Sequence, residues 1–143
     1  MFLGEFRHNM DAKGRLSVPA KMRNQCGASV YVTRGNDGCL NVYNEDGWNA
    51  YYNKIAKLSQ TKKKHRAFMR MVTSRVRECE FDKMGRINIP LVLREHANLT
   101  KSCVVVGVGD HMEIWDEELW DNYYSDNDDS FDELSEELGE EEE

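Results

Sequence analysis

The nine residues "DAKGRLSVP" of Asp11–Pro19 return as "DKMGRINIP" of Asp82–Pro90. Aspartate, glycine, arginine and proline occupy the same four places in both copies, at an offset of 71 residues. A second block, "LNVYNEDGWNAYYNK" from Leu40, aligns with "MEIWDEELWDNYYSD" from Met112 at an offset of 72. Chance could supply one such block but hardly two, so the sequence predicts an internal duplication.

Each copy of the phrase predicts a tight turn that leads into a short strand. Gly14 and Gly85 suit a backbone with positive φ, and Asp11 and Asp82 can accept hydrogen bonds from amides two or three residues further on. "RLSVP" and "RINIP" alternate polar and apolar residues, which is typical of strands, and each ends at a proline. After each proline we expect a short helix, then a β-hairpin, then a helix with an aromatic stripe. We interpret these stripes as core packing and not as a ligand site.

Neither half of the chain is long enough to bury a core comfortably, so we expect the halves to pack around a pseudo-twofold axis. The sequence predicts a mixed α+β, strand-rich fold with short helices. Its segments are a first repeat over residues 1–60, a connecting basic helix over 61–75, a second repeat over 76–125 and an acidic tail over 126–143. Phe131, Leu134 and Leu138 could form one weak helical stripe in this tail. Because the tail is rich in Asp, Glu and Ser, we nevertheless expect it to be disordered.

The net charge of −7 hides an uneven distribution. Residues 1–109 hold 19 bases and 9 acids, whereas residues 126–143 hold 11 acids and no base. A basic body attracts polyanions, of which nucleic acid is the commonest. A merely solvated basic surface would have the same composition, so charge indicates DNA only in combination with the motifs.

Composition and motifs disfavour other classes of protein. There is no apolar run for a membrane span and no secretory signal, so we expect a cytoplasmic protein. The four cysteines form no C-x-x-C pair, so we expect reduced thiols and neither a metal site nor a cofactor. "GVGDHM" from Gly107 lacks the third glycine of a nucleotide loop, and catalysis has little support. Phe131 stands where a calcium-binding EF-hand loop needs glycine.

Four separated stretches resemble the MraZ family of bacterial transcriptional regulators. They are "FLGEFRHNMDAKGRLSVPAKMR" from Phe2, "LSQTKKKHRAF" from Leu58, "CEFDKMGRINIP" from Cys79 and "CVVVGVGDHMEIWDEELWDNY" from Cys103. The resemblance covers residues 1–125 and implies a tandem pair of AbrB-like swapped-hairpin half-domains. It also implies rings of copies that bind tandem direct repeats in double-stranded DNA, upstream of their own operon in the cell-division and cell-wall cluster. A nucleoid-associated regulator, not an enzyme, is therefore expected.

The family hallmark, Asp-x-x-x-Arg, pairs Asp11 with Arg15 and Asp82 with Arg86. Arginine can make a planar, bidentate contact to guanine or phosphate, and the aspartate can fix its direction. We predict that DNA is contacted by Arg15, Arg86, Lys13, Lys83, Arg7 and His8, and that the motif is oriented by Asp11, Asp82, Gly14 and Gly85.

Two features leave alternatives open at the level of sequence. Lys83 sits one position earlier in its phrase than Lys13, so the two loops are not expected to be equivalent. Arg23 and Arg94 repeat in phase and can either contact DNA or form ion pairs that brace the helices.

A pure protein-interaction module, in which DNA binding is incidental, is the competing class of function. A gel shift on the upstream region of the gene would distinguish it from a DNA-binding regulator.

Overall fold

A computed structural model describes residues 1–142 and has a strand-rich α+β fold. The first half contains β1 (Phe2–Asn9), β2 (Arg15–Ser17), α1 (Ala20–Arg23), β3 (Ser29–Arg34), β4 (Leu40–Tyr43), α2 (Glu45–Ala56) and α3 (Lys63–Thr73). The second half contains β5 (Arg77–Glu80), β6 (Arg86–Asn88), α4 (Leu91–His96), β7 (Ser102–Gly109), β8 (Met112–Asp116), α5 (Glu117–Asp128) and α6 (Phe131–Glu142). The same order of elements occurs twice, so the predicted duplication is confirmed, and it extends to α3 and α6.

The two halves exchange their first strands. The larger sheet has the strand order β1-β7-β8-β4-β3-β5, and its paired strands are antiparallel. β1 of the first half therefore pairs with β7 of the second, and β5 of the second half pairs with β3 of the first. Each half thus completes the sheet of the other, and the predicted swapped, pseudo-twofold packing is confirmed.

β2 and β6 form a separate two-stranded sheet, which we call the ribbon. Leu16 faces Ile87 at its centre, and both side chains are fully buried. The ribbon therefore sits on the core through one face, and its other face is free to carry polar side chains.

The main core draws on both halves in similar measure. It contains Leu16, Val18, Met22, Val30 and Val32 of the first half, and Ile87, Ile89, Leu93, Cys103 and Val105 of the second. Beside it, a Cβ on Gly107 would collide with the backbone of Phe2 and Leu3. Glycine at this position in β7 therefore allows the exchanged strand β1 to lie close enough to pair.

The aromatic stripes of α2 and α5 pack on the sheet, as predicted. Trp48 stacks on Tyr31 at 5.8 Å between ring centroids, and Trp120 packs on Trp115 at 5.3 Å. Both helices begin at a side-chain cap, since Asn44 accepts from the amide of Gly47 and Asp116 from that of Leu119. These caps satisfy amides that a helix N-terminus otherwise leaves unpaired.

The acidic tail is helical in the structure, which differs from the predicted disorder. α5 continues to Asp128, and α6 follows after a short turn. Phe131, Leu134 and Leu138 have helical spacing, and Asp132 lies in the first turn, where the helix dipole favours an anion. Composition indicated disorder because it reflects the high charge of the tail and takes no account of the helical spacing of its apolar residues. Every side chain from Phe131 to Glu141 is nonetheless exposed.

The four cysteines are free thiols, and three of them are buried. Burial raises the pKa of the Cys26, Cys79 and Cys103 thiols to about 11, so they are protonated at neutral pH. Among residues 1–142, no group of three or more acidic, histidine or cysteine side chains is placed to hold a metal ion. None of the helices formed by these residues has the length and hydropathy needed to cross a lipid bilayer.

Candidate nucleic-acid interface

Residues 11–14 and 82–85 form two turns of the same design, called here the first loop and the second loop. Asp11 Oδ1 accepts from the amides of Lys13 (3.0 Å) and Arg15 (2.9 Å), and its Oδ2 accepts from Arg15 Nε at 2.6 Å. In the second loop Asp82 makes the same set of bonds to the amides of residues 84 and 86 and to Arg86 Nε at 2.8 Å. Each aspartate therefore closes its turn and also holds the arginine that follows.

The aspartates remain ionised at neutral pH. The amide of Arg15 is the main cause that lowers the pKa of Asp11 below its ordinary value, and the amide of Arg86 does the same for Asp82. A lowered carboxyl pKa contributes stability that is present at neutral pH and is lost as the pH falls through the lowered value. The loops are therefore fixed under physiological conditions.

The ribbon brings the two arginines onto one face. Its antiparallel register sets Arg15 opposite Asn88 and Ser17 opposite Arg86. Side chains alternate along a strand, so these four lie on the face opposite the buried pair at the ribbon's centre. A two-stranded ribbon has the dimensions to enter the major groove of DNA, where arginine and asparagine read guanine and adenine. The sequence analysis did not include Ser17 and Asn88 among the candidate site residues. The polar–apolar alternation of each phrase could have identified them, because it puts them on the same strand face as the arginines.

Each loop is braced by an arginine from the other half of the chain. Arg94 Nε donates to the carbonyl of Ile89 at 2.9 Å, and its guanidinium lies against Gly14 of the first loop. Arg23 Nη1 donates to the carbonyl of Val18 at 2.8 Å, and its guanidinium lies against Gly85 of the second loop. Among residues 1–142, neither Arg23 nor Arg94 is within ion-pair distance of a carboxylate, so neither braces a helix through an ion pair. Sequence reasoning left this role open because it depends on how the halves cross.

The two loop glycines are required for two reasons. Gly14 and Gly85 have φ of 86° and 76°, which side chains other than glycine rarely adopt. A Cβ on Gly14 would also lie 2.8 Å from Arg94 Cζ and 3.0 Å from the Ile89 carbonyl. The carbonyl of Gly14 accepts from the amide of Ile89 at 2.9 Å. The shape of one loop is thus fixed by the strand and helix of the other half.

The two loops are not equivalent. Arg86 Nη1 lies 3.7 Å from Asp11 Oδ2 across the ribbon, and its side chain is 22% exposed compared with 35% for Arg15. Position 84, the counterpart of Lys13, is a methionine with 70% exposure. Lys13 and Lys83 are both exposed, and neither is within ion-pair distance of a carboxylate in residues 1–142. The first loop therefore presents more accessible positive charge at its arginine.

The Arg7 guanidinium is held by carboxylates of β1 and α5, outside the ribbon and its loops. Its guanidinium lies 2.7 Å from Asp121 and 3.6 Å from Glu117, both on α5, and 2.9 Å from Glu5. Hydrogen bonds to Asp121 and Glu5 raise the pKa of Arg7, so it stays charged and is already paired with carboxylates of this chain. His8 is exposed on the same strand, and its ring nitrogen lies 3.2 Å from the Asn9 carbonyl. Arg7 and His8 stay predictions, and the loops and ribbon form the candidate site.

Comparison with known proteins assigns this arrangement to a family. The family model described as "MraZ protein, putative antitoxin-like" matches residues 1–71 and 74–140. The chain belongs to the MraZ family. A "Transcriptional regulator MraZ" from Ligilactobacillus salivarius (strain UCC118) is 53% identical over 138 residues, which cover 96% of both chains. Those from Limosilactobacillus reuteri (strain DSM 20016) and Lactobacillus delbrueckii subsp. bulgaricus (strain ATCC BAA-365 / Lb-18) are 50% and 49% identical over the same length.

Family membership agrees with the resemblance found in the sequence. The second matched segment of this MraZ chain runs to residue 140 and so places most of α6 in the second repeat. The relatives are named as transcriptional regulators, which makes this a family of regulators and not of enzymes.

We expect Arg94→Met to destabilise the protein by about 1.5–3 kcal/mol, because a charged donor is removed from a half-buried carbonyl. The variant should also weaken DNA binding through the first loop, although Arg94 itself lies beneath that loop. Urea denaturation at fixed protein concentration measures the first effect and a gel shift the second. Arg75→Met, at an exposed position, is the matched control and should change stability by less than about 0.5 kcal/mol. Equal stability of the two variants would contradict the bracing role.

Proposed function

We propose that this MraZ-family chain is a sequence-specific DNA-binding regulator of transcription, and that its ribbon and two loops contact the DNA. The observation that carries the proposal is the pair of aspartate-oriented arginines, Arg15 and Arg86, which lie diagonally from each other on the same, partly exposed face of the ribbon. An arginine whose direction is already fixed loses little conformational entropy on binding, which favours bidentate contact to a base. The exposed Lys13 and Lys83 add attraction to the flanking phosphates.

The proposed target is a set of tandem direct repeats upstream of the chain's own operon, in the division and cell-wall cluster. One ribbon covers a small footprint, so a single protomer offers modest affinity. A ring of copies would present the same ribbon repeatedly, and tandem repeats would then engage several at once with an avidity gain. The proposed binding would locate the protein in the cytoplasm, at the nucleoid.

Footprinting of the full chain on DNA upstream of its own gene tests the proposal. We expect protection of short boxes that recur at a regular spacing in the same orientation. Scrambling the boxes without changing their base composition should remove the protection. Equal protection of the scrambled DNA would mean that the protein contacts phosphates alone. If neither DNA were protected, the DNA-binding proposal would be wrong.

We also expect the affinity for DNA to fall steeply with salt. Each phosphate neutralised by a lysine or arginine releases counterions, and the slope of log K against log salt reports their number. We would measure this slope by titrating binding between about 50 and 200 mM salt. With six or more phosphate contacts, the affinity should fall by roughly a thousandfold over this range. An affinity that is flat over this range would contradict phosphate contacts by the loops.

A further inference from the structure

α6 is exposed to solvent although its sequence does not favour a stable isolated helix. It carries seven acids and no base over Phe131–Glu142, and its side chains are exposed from Phe131 to Glu141. Isolated helices of about 12 residues are marginal in water. Acids crowded at its C-terminus also oppose the helix dipole. Phe131, Leu134 and Leu138 nevertheless form one apolar stripe on this helix.

α3, its counterpart in the first half, has the opposite charge and a matching apolar surface. Lys62–Arg70 contains five lysines and arginines and no acid. Phe68 and Met71 are exposed along one face of α3, with Lys64 on the same face one turn before Phe68. Next to them an open cavity of about 290 Å³ is lined by residues that include Arg34, Gly35, Asn41, Tyr51, Phe68 and Met71.

The two surfaces do not meet within one chain. α3 packs toward the β3–β5 end of the sheet, where Thr33 Oγ1 donates to the Val72 carbonyl at 3.4 Å. α5, which leads into α6, packs on β7 and β8 toward the opposite end. Because α6 is exposed along its described side chains, it does not cover the α3 of its own chain.

We propose that α6 of one copy docks on α3 of a second copy, with its apolar stripe on Phe68 and Met71 and its carboxylates facing the lysines and arginines of α3. The donor and acceptor surfaces differ, so the contact is heterologous and leads head to tail from copy to copy. Such a contact closes into a ring when the rotation per copy allows. The inference rests on the self-association proposed above and assigns its surfaces.

Two full-chain variants test the contact, each blocked on one surface. Leu134→Lys with Leu138→Lys blocks α6 as donor, and Arg70→Glu with Met71→Glu blocks α3 as acceptor. Sedimentation velocity should show large assemblies for the unaltered protein and a single 16.6-kDa protomer for each variant alone. An equal mixture of the two variants should form a species of twice that mass, because one intact donor then meets one intact acceptor.

Matched controls separate the proposed contact from general effects of the substitutions. Leu91→Lys and Met84→Glu alter exposed residues of the same types outside the two surfaces and should leave the assemblies unchanged. Circular dichroism should show the same helix and strand content and a cooperative thermal transition for all variants, with a lower midpoint only where assembly is lost.

Three results would overturn the inference. Folded variants that remain as large as the unaltered protein would show that other surfaces drive assembly, and self-association would stand. A mixture that stays monomeric would show that α6 does not meet α3 of another copy. A monomeric unaltered protein would overturn both this inference and the proposed self-association, while footprinting would still decide DNA binding.

Discussion

Replacing Arg15 and Arg86 together by alanine is expected to abolish sequence-specific DNA binding and to leave the fold intact. A good bidentate contact to a base is worth about 1–3 kcal/mol of discrimination, so loss of both costs about 2–6 kcal/mol. Both guanidinium groups lie on the exposed face of the ribbon, away from the main core. Gel shift against the boxes found by footprinting, beside a scrambled duplex, measures the loss.

Two further variants separate reading of bases from attraction to charge. Alanine at Arg75 and Arg77, which are exposed outside the ribbon, removes the same charge and should lower affinity for both duplexes modestly. Lysine at positions 15 and 86 keeps the charge but not the planar fork, so it should spare binding to scrambled DNA and lose specificity. Specific binding that survives the double alanine variant would remove these arginines from the proposed site.

Leu16→Ala is expected to destabilise the protein by about 2–5 kcal/mol, the usual cost of a cavity at a fully buried leucine. Leu16 has no exposed surface and faces Ile87 at the centre of the ribbon, where the cores of the two halves meet. The expected loss is a large part of the total, since domains of this size are stable by about 5–15 kcal/mol. Urea unfolding at fixed protein concentration measures it.

The control for this cavity is Leu91→Ala on α4. Leu91 is 58% exposed, so its truncation should change stability by no more than about 0.5 kcal/mol. If Leu16→Ala cost less than about 1 kcal/mol, the ribbon would not be anchored through this side chain. The meeting of the two halves beneath it would then need another explanation.

The repeated phrase made much of the fold accessible from sequence. Glycine, proline and alternating residues are local signals, and the turns, short strands and short helices they predicted are present in both halves. The aromatic stripes of α2 and α5 were also predicted as packing, because helical spacing is visible without coordinates. The helix α6 was missed, since composition favoured disorder and the weak apolar stripe was outweighed by charge.

Only part of the candidate site could be predicted from the sequence. Asp11 and Arg15 are four residues apart, so their pairing follows from one local turn. Arg94 beneath the first loop could not be assigned, because the residues it touches lie in the other copy of the phrase. Arg7 was placed with the DNA contacts because β1 leads to the first loop, whereas its partners on α5 are more than a hundred residues away in the chain.

The sequence alone predicted the duplication, because the repeat is visible in the residues themselves. It also predicted the two turns and the pairing of each aspartate with its arginine, because these depend on neighbours in the chain. The family resemblance implied a swapped arrangement, but only the tertiary structure decided which strands pair, that Leu16 meets Ile87, and that both arginines share one ribbon face. These are pairings between distant segments, which are selected by burial of the shared core and not by local preference. The phrase "DAKGRLSVP" specifies one loop and its strand, and the pairing of that strand with the second copy forms the candidate DNA-binding face of the ribbon.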